Sequence, residues 1–428
     1  MLFNSFVFLV FFVIVYGLYL TATHQWQNRL LLVASYVFYG WWDWRFLSLL
    51  IFSTWVDYVI ALKLSQTAHI KRRKFLLGIS IGCGLGILGF FKYFNFFAGN
   101  LQQLLGVFGI EADVRVLNVV LPVGISFYTF QTMSYVIDVY RKQLAPAKHF
   151  LDLALYVSFF PQLVAGPIER GTNLLPQVIN PRRLTVDGLC EGSYLILWGL
   201  YQKVFIADNL ARVVNLVFAS AAPYQGIEVL VALYAFAFQI YCDFAGYSNM
   251  ARGLAKYMGF ELMVNFNRPY VSTNPEAFWR RWHISLSTWL RDYLYIPLGG
   301  NRHGVWRTYR NVGLTMLLGG LWHGAAWTFV FWGMFHGALL IAYKFLSPGF
   351  QRVPAIHNKF FGSVWHSVKV LVFFHVLCVG WLFFRAPSFS QAAAMLTSLS
   401  SPVFFHALPG ALPVIGLKMA QSVLPYLG

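Results

Sequence analysis

Three histidines lie close together in the C-terminal half of the sequence, and one of them has unusual neighbours. His323 lies in the segment GGLWHG, whereas His283 and His336 lie among aromatic residues on either side of it. Glycines beside a side chain let backbone, cofactor or substrate approach closely. Burial disfavours a charged imidazole, so a histidine in an apolar wall stays neutral and can accept a proton from a hydroxyl group. Attack of a hydroxyl on an acyl thioester needs such a base, and we therefore predict that His323 is catalytic.

His336 is the second catalytic candidate, and its distance from His323 limits what it can do. It lies 13 residues further along the chain. In one continuous helix this separation is about 20 Å along the axis and more than half a turn around it. The two imidazoles then share a proton only if the helix breaks, and Gly333 is the only nearby candidate for a break. A role in orientation or packing is the alternative for His336.

Charged residues surround His283 in the segment FWRRWHISLSTWLRDYLYIPLGGNR. Arg280 and Arg291, together with His283, predict a site for an anionic group such as the phosphates of coenzyme A. A basic patch that faces lipid headgroups is the alternative. Asp292 directly follows Arg291, and we include it among the substrate-binding candidates.

A second polar group lies in the segment YCDFAGYSNMARGLAKYMGF. Asp243 interrupts an apolar run, and Asn249 follows it. An aspartate within the membrane usually pairs with a cation or with a helix end, and direct contact with the substrate is the alternative. Both residues are therefore candidates for substrate binding.

A third polar region comprises LPVGISFYTFQTMSYVIDVY and FFPQLVAGPIER. Its glycines and prolines favour broken helices, and its polar side chains, Glu169 among them, favour structural contacts between helices. No phosphate-binding glycine loop, HExxH helix or GxSxG turn occurs in the sequence. The four cysteines are too dispersed to indicate a metal site or a disulfide framework.

The amino-acid composition indicates the environment in which the protein folds. Of the 428 residues, 58% are hydrophobic and 11% are charged, and the mean hydropathy is +0.59. A water-soluble domain does not have this composition, so the lipid bilayer is the predicted environment. The net charge of +17 is scattered in short clusters between apolar runs, which favours contact with headgroups over binding of nucleic acid.

Apolar runs predict an all-α, polytopic membrane protein with roughly ten to twelve transmembrane or re-entrant helices, because each crossing takes ~20 residues. The first run reads as a retained span and not as a cleaved signal peptide. The cluster from Lys71 to Lys74 indicates the cytoplasmic side. Between residues 250 and 310 the pattern predicts short amphipathic or interfacial helices. The runs lie near residues 2–20, 30–62, 75–98, 115–139, 150–165, 187–207, 226–248, 284–298, 311–345, 366–384 and 403–425.

Six motifs across residues 30–385 resemble the membrane-bound O-acyltransferase family, and most closely its bacterial alginate O-acetyltransferase branch. They are SYVFYGWWDWRFLSLL, LPVGISFYTFQTMSYVIDVYR, FFPQLVAGPIER, YCDFAGYSNMARGLAKYMGF with NFNRPY, FWRRWHISLSTWLRDYLYIPLGGNR and GGLWHGAAWTFVFWGMFHG. The resemblance implies one membrane domain over residues 1–428 with helices around a central tunnel. It also implies that His323 is the essential histidine and that His336 is the second histidine of the same pattern.

The resemblance further implies a function and a location. The chain would take acetyl groups from a cytoplasmic donor, acetyl-coenzyme A, and pass them to a periplasmic acetyltransferase or directly to a polysaccharide such as alginate. It would lie in the bacterial inner membrane, with no bound cofactor or metal. Two hypotheses from other classes stay open at this point: a polytopic transporter, and a non-catalytic scaffold of a polysaccharide-secretion complex.

Overall fold

The computed structural model describes residues 1–111, 117, 120–220, 223–350 and 358–400, and within these ranges the chain is helical, with no strand. The apolar run predicted at 403–425 lies outside the described residues. The α-helices, in chain order, are α1 Phe6–Thr21, α2 His24–Asp43, α3 Arg45–Gln66, α4 Ile70–Leu88, α5 Phe94–Val107, α6 Ile125–Tyr140, α7 Phe150–Ser158, α8 Phe160–Leu163, α9 Gly171–Ile179, α10 Val186–Leu200, α11 Asp208–Phe218, α12 Gly226–Tyr257, α13 Pro275–Trp279, α14 Ile284–Leu290, α15 Val305–His323, α16 Trp327–Phe350, α17 Lys359–Arg385 and α18 Phe389–Ser400.

Several of these helices are joined by tighter or wider turns. Three π-helical segments occur at Gly89–Tyr93, Tyr201–Ala207 and Arg291–Tyr295, and a 3₁₀ turn occurs at Pro269–Val271. Short π-helical segments inside α-helices are frequent at functional sites.

Five helical segments of the described chain are long and apolar enough to cross a membrane: Arg45–Gln66, Ile70–Val107, Gly226–Tyr257, Trp327–Gly349 and Lys359–Arg385. Helix α1 is apolar but shorter. Other predicted runs contain breaks, since the run at 150–165 divides into α7 and α8 and the run at 284–298 divides into α14 and a π segment. The all-α, polytopic membrane fold is confirmed, and the central tunnel stays a prediction.

The break within the run at 30–62 has a visible cause. Helix α2 ends at Asp43 and α3 begins at Arg45, and the Arg45 guanidinium donates to the Asp43 carboxylate at 2.6 Å. Exposed Trp41, Trp42 and Trp44 surround the turn, as expected of a membrane–water interface. The run at 30–62 therefore contains two helices that are joined by a turn at Trp44. The short helices expected between residues 250 and 310 are also present.

The chain divides into two compact units, which we describe separately, and the single domain predicted over residues 1–428 stays a prediction. The first unit comprises Met1–Gly199 and Tyr247–Val264. Its polar side chains join broken segments, as predicted: Gln131 and Gln162 each donate to the Tyr156 carbonyl at 2.7 Å. Glu169, which is fully buried, accepts from the Met263 amide and the Asn173 side chain.

The second unit comprises Leu200–Gly246 and the described residues from Asn265 onward. Its core is aromatic, and Phe278, Trp332 and Trp381 are almost completely buried in it. Helices α15 and α16 form a tight hairpin, in which a Cβ added at Gly320 would lie 2.9 Å from the Gly333 Cα. Gly320 and Gly333 therefore allow the backbones of the two helices to touch.

The hairpin corrects one expectation from the sequence. The run at 311–345 is not one continuous helix, and the break does not fall at Gly333, which lies inside α16. Helix α15 ends at His323, and Gly324 takes an extended conformation with φ −164° and ψ 151°. A Cβ at Gly324 would overlap the Phe329 ring at 2.2 Å, so the tight turn back into α16 needs glycine at this point.

Candidate active site

His323 is the last residue of α15, and three aromatic rings surround it. The centroid of its imidazole lies 5.0 Å from those of Trp322 and Trp332 and 5.3 Å from that of Phe384. These rings come from α15, α16 and α17. His323 is only partly buried, so the ring sits in an apolar wall and keeps some access to its surroundings.

His283 lies closer to His323 than its place in the sequence suggests. The two imidazole centroids are 6.4 Å apart. His283 precedes α14 with a φ of 43°, which is uncommon for a residue other than glycine and often marks a functional site. The next residue, Ile284, donates its amide to the Asn265 carbonyl at 2.9 Å, and this bond fixes the turn.

The environment of His283 disfavours a charged ring. The side chain is 1% exposed, and its ring centroid lies 4.7 Å from that of Phe244. Burial lowers the pKa of His283 well below its ordinary value, and the nearby His323 acts in the same direction. A hydrogen bond spans about 2.8 Å, so the 6.4 Å between the two centroids is compatible with one hydroxyl group placed between the rings.

His336 occupies a different position, behind Trp332. The Trp332 centroid lies 5.0 Å from that of His323 and 4.7 Å from that of His336. His336 is 1% exposed, and neither ring nitrogen has a hydrogen-bond partner among the described residues. Its Nε2 faces α17, where a Cβ on Gly380 would lie 3.1 Å away. This geometry favours the packing alternative for His336, and its catalytic role stays a prediction.

Asp243 has the cationic partner that the sequence predicted, and that partner is Lys203. The Lys203 Nζ lies 2.6 Å from Asp243 and 2.8 Å from Asp208. The Asp243 side chain is 52% exposed, and the following residue, Phe244, packs against His283. Asn249 lies further along α12 in the first unit, where it is half-buried.

The arginines near His283 lie at the surface of the second unit. The Arg280 side chain is 80% exposed and forms an ion pair with Glu276 at 3.7 Å. Arg291 pairs with its neighbour Asp292 at 2.7 Å. Their exposure fits both alternatives, which are an anion-binding patch and a headgroup patch.

The sequence did not identify three residues that the structure brings to the site. Lys203 lies in an apolar run, and a charge in such a run is itself a signal of function. Trp332 and Phe384 carried no signal, because aromatic residues are frequent throughout this chain. Within the described residues, no group of three or more His, Cys, Asp and Glu side chains is arranged to hold a metal ion.

Comparison with known proteins decides the family of this chain. The sequence profile of the membrane-bound O-acyltransferase family matches residues 146–384, a segment that includes His283, His323 and His336. The chain belongs to the membrane-bound O-acyltransferase family. As a member of this family it is a multi-pass membrane protein and an O-acyltransferase, so the transporter and scaffold hypotheses lose their support.

Three similar proteins have names that refer to different polymers. The chain is 44% identical to the Probable alginate O-acetylase AlgI of Pseudomonas putida, over all of this chain and 86% of that protein. It is 36% identical to the Peptidoglycan O-acetyltransferase of Helicobacter pylori, over 86% of this chain and 73% of that protein. It is 29% identical to the Teichoic acid D-alanyltransferase of Bacillus subtilis, over 64% of this chain and 70% of that protein.

Proposed function

We propose that this O-acyltransferase takes acetyl groups from cytoplasmic acetyl-coenzyme A for the O-acetylation of an extracytoplasmic polysaccharide of the alginate type. The observation that carries the proposal is the pair of His323 and His283, with centroids 6.4 Å apart in an aromatic wall. The 44% identity to an alginate O-acetylase over the whole chain supports the choice of polymer.

His323 acts as the general base in this proposal. Its imidazole accepts the proton of the acceptor hydroxyl while the hydroxyl oxygen attacks the thioester carbonyl carbon. The C–O bond forms, the C–S bond breaks, and the imidazolium returns the proton to the departing thiolate. His283 stays neutral, so it can donate one hydrogen bond to the acyl or acceptor oxygen without adding a charge to the apolar wall.

His336 supports this site from behind. It packs against Trp332, which in turn packs against His323. Loss of the His336 side chain would therefore weaken the packing around His323 more than it would affect proton transfer. A direct catalytic role would instead require His336 to reach the substrate past the Trp332 ring.

The charged surfaces suggest the routes of donor and acceptor. Lys71, Arg72 and Lys74 are exposed, and by the positive-inside tendency they face the cytoplasm of the bacterial inner membrane. Arg280 and Arg291 are candidates for the phosphates of the donor, and Asp243, Asp292 and Asn249 are candidates for hydroxyl groups of the acceptor. The acceptor is either the polymer itself or a periplasmic acetyltransferase that completes the transfer.

The test is release of coenzyme A from radiolabelled acetyl-coenzyme A by the purified full-length protein in nanodiscs, with alginate as the acceptor. We expect His323→Gln to abolish turnover and His283→Gln to lower kcat, while His336→Gln lowers thermal stability more than kcat. His303→Gln is the matched control, because His303 is an exposed histidine of the same unit.

Each result separates a different part of the proposal. Full turnover by a folded His323→Gln variant would remove His323 from the chemistry. Turnover with peptidoglycan but not with alginate would keep the mechanism and replace the acceptor. Equal loss in the His303→Gln control would mean that the substitution acts through folding.

A further inference from the structure

An apolar groove of about 440 Å³ lies on the second unit, away from the three site histidines. One wall is α17, which contributes His366, Ser367, Leu371 and Phe374. The other wall includes Phe238 of α12 and the 3₁₀ turn with Tyr270 and Val271. Its volume lies in the range of small-molecule sites, which is ~300–1,000 Å³.

One wall of the groove, α17, and Phe238 of the other wall belong to helices that could cross a membrane. Helices α12 and α17 are among the five segments that are long and apolar enough to cross a bilayer. Phe238 and Leu371 are 46% and 59% exposed, so the groove opens to the surroundings of these helices. In a membrane those surroundings are lipid chains, and an apolar groove at that depth does not retain water.

One face of α17 changes from polar to apolar along its length. Residues three or four apart lie on the same helical face, and this face begins with Lys359, Ser363, His366 and Ser367. It continues with apolar Val370, Leu371 and Phe374. From Lys359 to Phe374 the helix rises about 22 Å, which matches one leaflet of a bilayer that is ~40–45 Å thick with its headgroups.

We propose that this groove binds an acyl chain of one anionic bilayer phospholipid, with its phosphate toward the Lys359 end of α17. The apolar part of the face then contacts the chain, and the lysine complements the charge of the headgroup. The site is separate from acyl transfer, since none of its lining residues is one of the three site histidines.

The wall opposite α17 is held rigidly. The Tyr270 hydroxyl donates to the Ala237 carbonyl at 2.6 Å. The Tyr270 ring lies 5.3 Å from Phe374 and 5.9 Å from Trp282, measured between centroids. A chain in the groove would therefore rest on a fixed aromatic surface, and its ordering would cost little rearrangement of the protein.

The experiment fills the groove with a side chain. Leu371→Trp places an indole where the chain would lie, and Val372→Trp is the matched control, since Leu371 and Val372 are both 59% exposed and only Leu371 lines the groove. The full-length protein is purified in detergent, delipidated and incubated with dioleoyl phosphatidylglycerol or dioleoyl phosphatidylcholine. Native mass spectrometry counts the lipids retained, and a thermal shift assay measures Tm with each lipid.

We expect wild type and Val372→Trp to retain one phosphatidylglycerol and to gain Tm from it, because a ligand that binds only the folded state stabilises it. Leu371→Trp should bind about tenfold more weakly, a difference of about 1.4 kcal/mol. Val271→Trp fills the groove from the other wall and should have the same effect. Lys359→Ala should remove the preference for phosphatidylglycerol over phosphatidylcholine.

Two results would overturn the proposal. Equal lipid retention by Leu371→Trp, Val271→Trp and wild type would mean that the groove is not the site. Equal retention of the two lipids by wild type would show that the site does not recognise an anionic headgroup. Because no acyl transfer is measured, neither result depends on the proposed enzymatic function.

Discussion

Replacing Gly320 by alanine should separate the two helices that hold His323. The added Cβ would lie 2.3 Å from the Phe329 carbonyl oxygen and 2.9 Å from the Gly333 Cα. Both are backbone atoms of α16, so no flexible side chain can yield. An ordinary contact needs about 1 Å more at this point, and only movement of α16 away from α15 supplies it.

The change in the free energy of unfolding caused by Gly320→Ala is the sum of two opposing effects. Overpacking of a tight contact costs about 1–3 kcal/mol. Replacing glycine inside a helix returns about 1 kcal/mol through helix propensity, so the net change is a destabilisation of up to about 2 kcal/mol. Trp332, on α16, would move relative to His323 by about the same 1 Å, and a misplacement of that size can lower a catalytic rate by about 10²-fold.

The assay compares Gly320→Ala with Gly313→Ala in the same helix. A Cβ at Gly313 would meet only the Ile341 Cδ1, at 3.9 Å, which is an ordinary van der Waals contact. We expect Gly313→Ala to keep or raise Tm and to keep kcat, whereas Gly320→Ala lowers both. If both variants keep wild-type Tm and kcat, the close packing of α15 on α16 does not position His323.

Two further predictions concern charged side chains. Asp243→Asn should lower Tm less than Lys203→Ala. Lys203 keeps Asp208 as its partner in the first variant, whereas two carboxylates lose their cation in the second. The reverse order of Tm values would contradict this pairing. Burial raises the pKa of Glu169 from 4.5 to about 7 despite its hydrogen bonds to Met263 and Asn173, so its contribution to stability is present below pH 4.5 and is lost as the pH rises to about 7. The Tm of Glu169→Gln should therefore rise relative to that of wild type as the pH increases across this interval, and the corresponding difference in the free energy of unfolding should not exceed about 3 kcal/mol. A difference in Tm that does not change with pH would show that Glu169 keeps its ordinary pKa.

Sequence patterns predicted the class of fold well, because hydrophobic length and the cost of unpaired backbone in lipid allow few alternatives. The turn between Asp43 and Arg45 was also predictable, since tryptophans and charges mark an interface. The hairpin at His323 was not. Gly324 and Gly333 each lie in a contact too tight for a Cβ, and only the fold shows that Gly324 faces the Phe329 ring at a turn whereas Gly333 faces the backbone of α15 inside a helix.

Charge clusters in the sequence did not reveal which side chains are buried. The basic run from Lys71 to Lys74 indicates the cytoplasmic side as one cluster, yet the Arg73 side chain is only 7% exposed. Its guanidinium donates to the Leu64 carbonyl at the end of α3 and to the Tyr140 carbonyl at the end of α6. Carbonyl groups at helix ends need hydrogen-bond donors. Arg73 can supply them to α3 and α6 only because the fold brings the ends of these helices next to α4. The sequence alone therefore did not show that the Arg73 side chain is buried, and the placement of the cluster on the cytoplasmic side stays a prediction.

The choice of a partner for His323 likewise depends on the distance between residues in the fold and not on their distance along the sequence. His336 is nearer in the sequence, but the Trp332 ring lies next to both histidines. His283 is far in the sequence, but the turn before α14 brings its buried ring within 6.4 Å of His323. A second charged group in this apolar wall would be costly, whereas a neutral imidazole can form a hydrogen bond without that cost. His283 and His336 are equally buried, so it is the position of His283 in the fold, and not burial or proximity in the sequence, on which we base the proposal that it is the partner of His323.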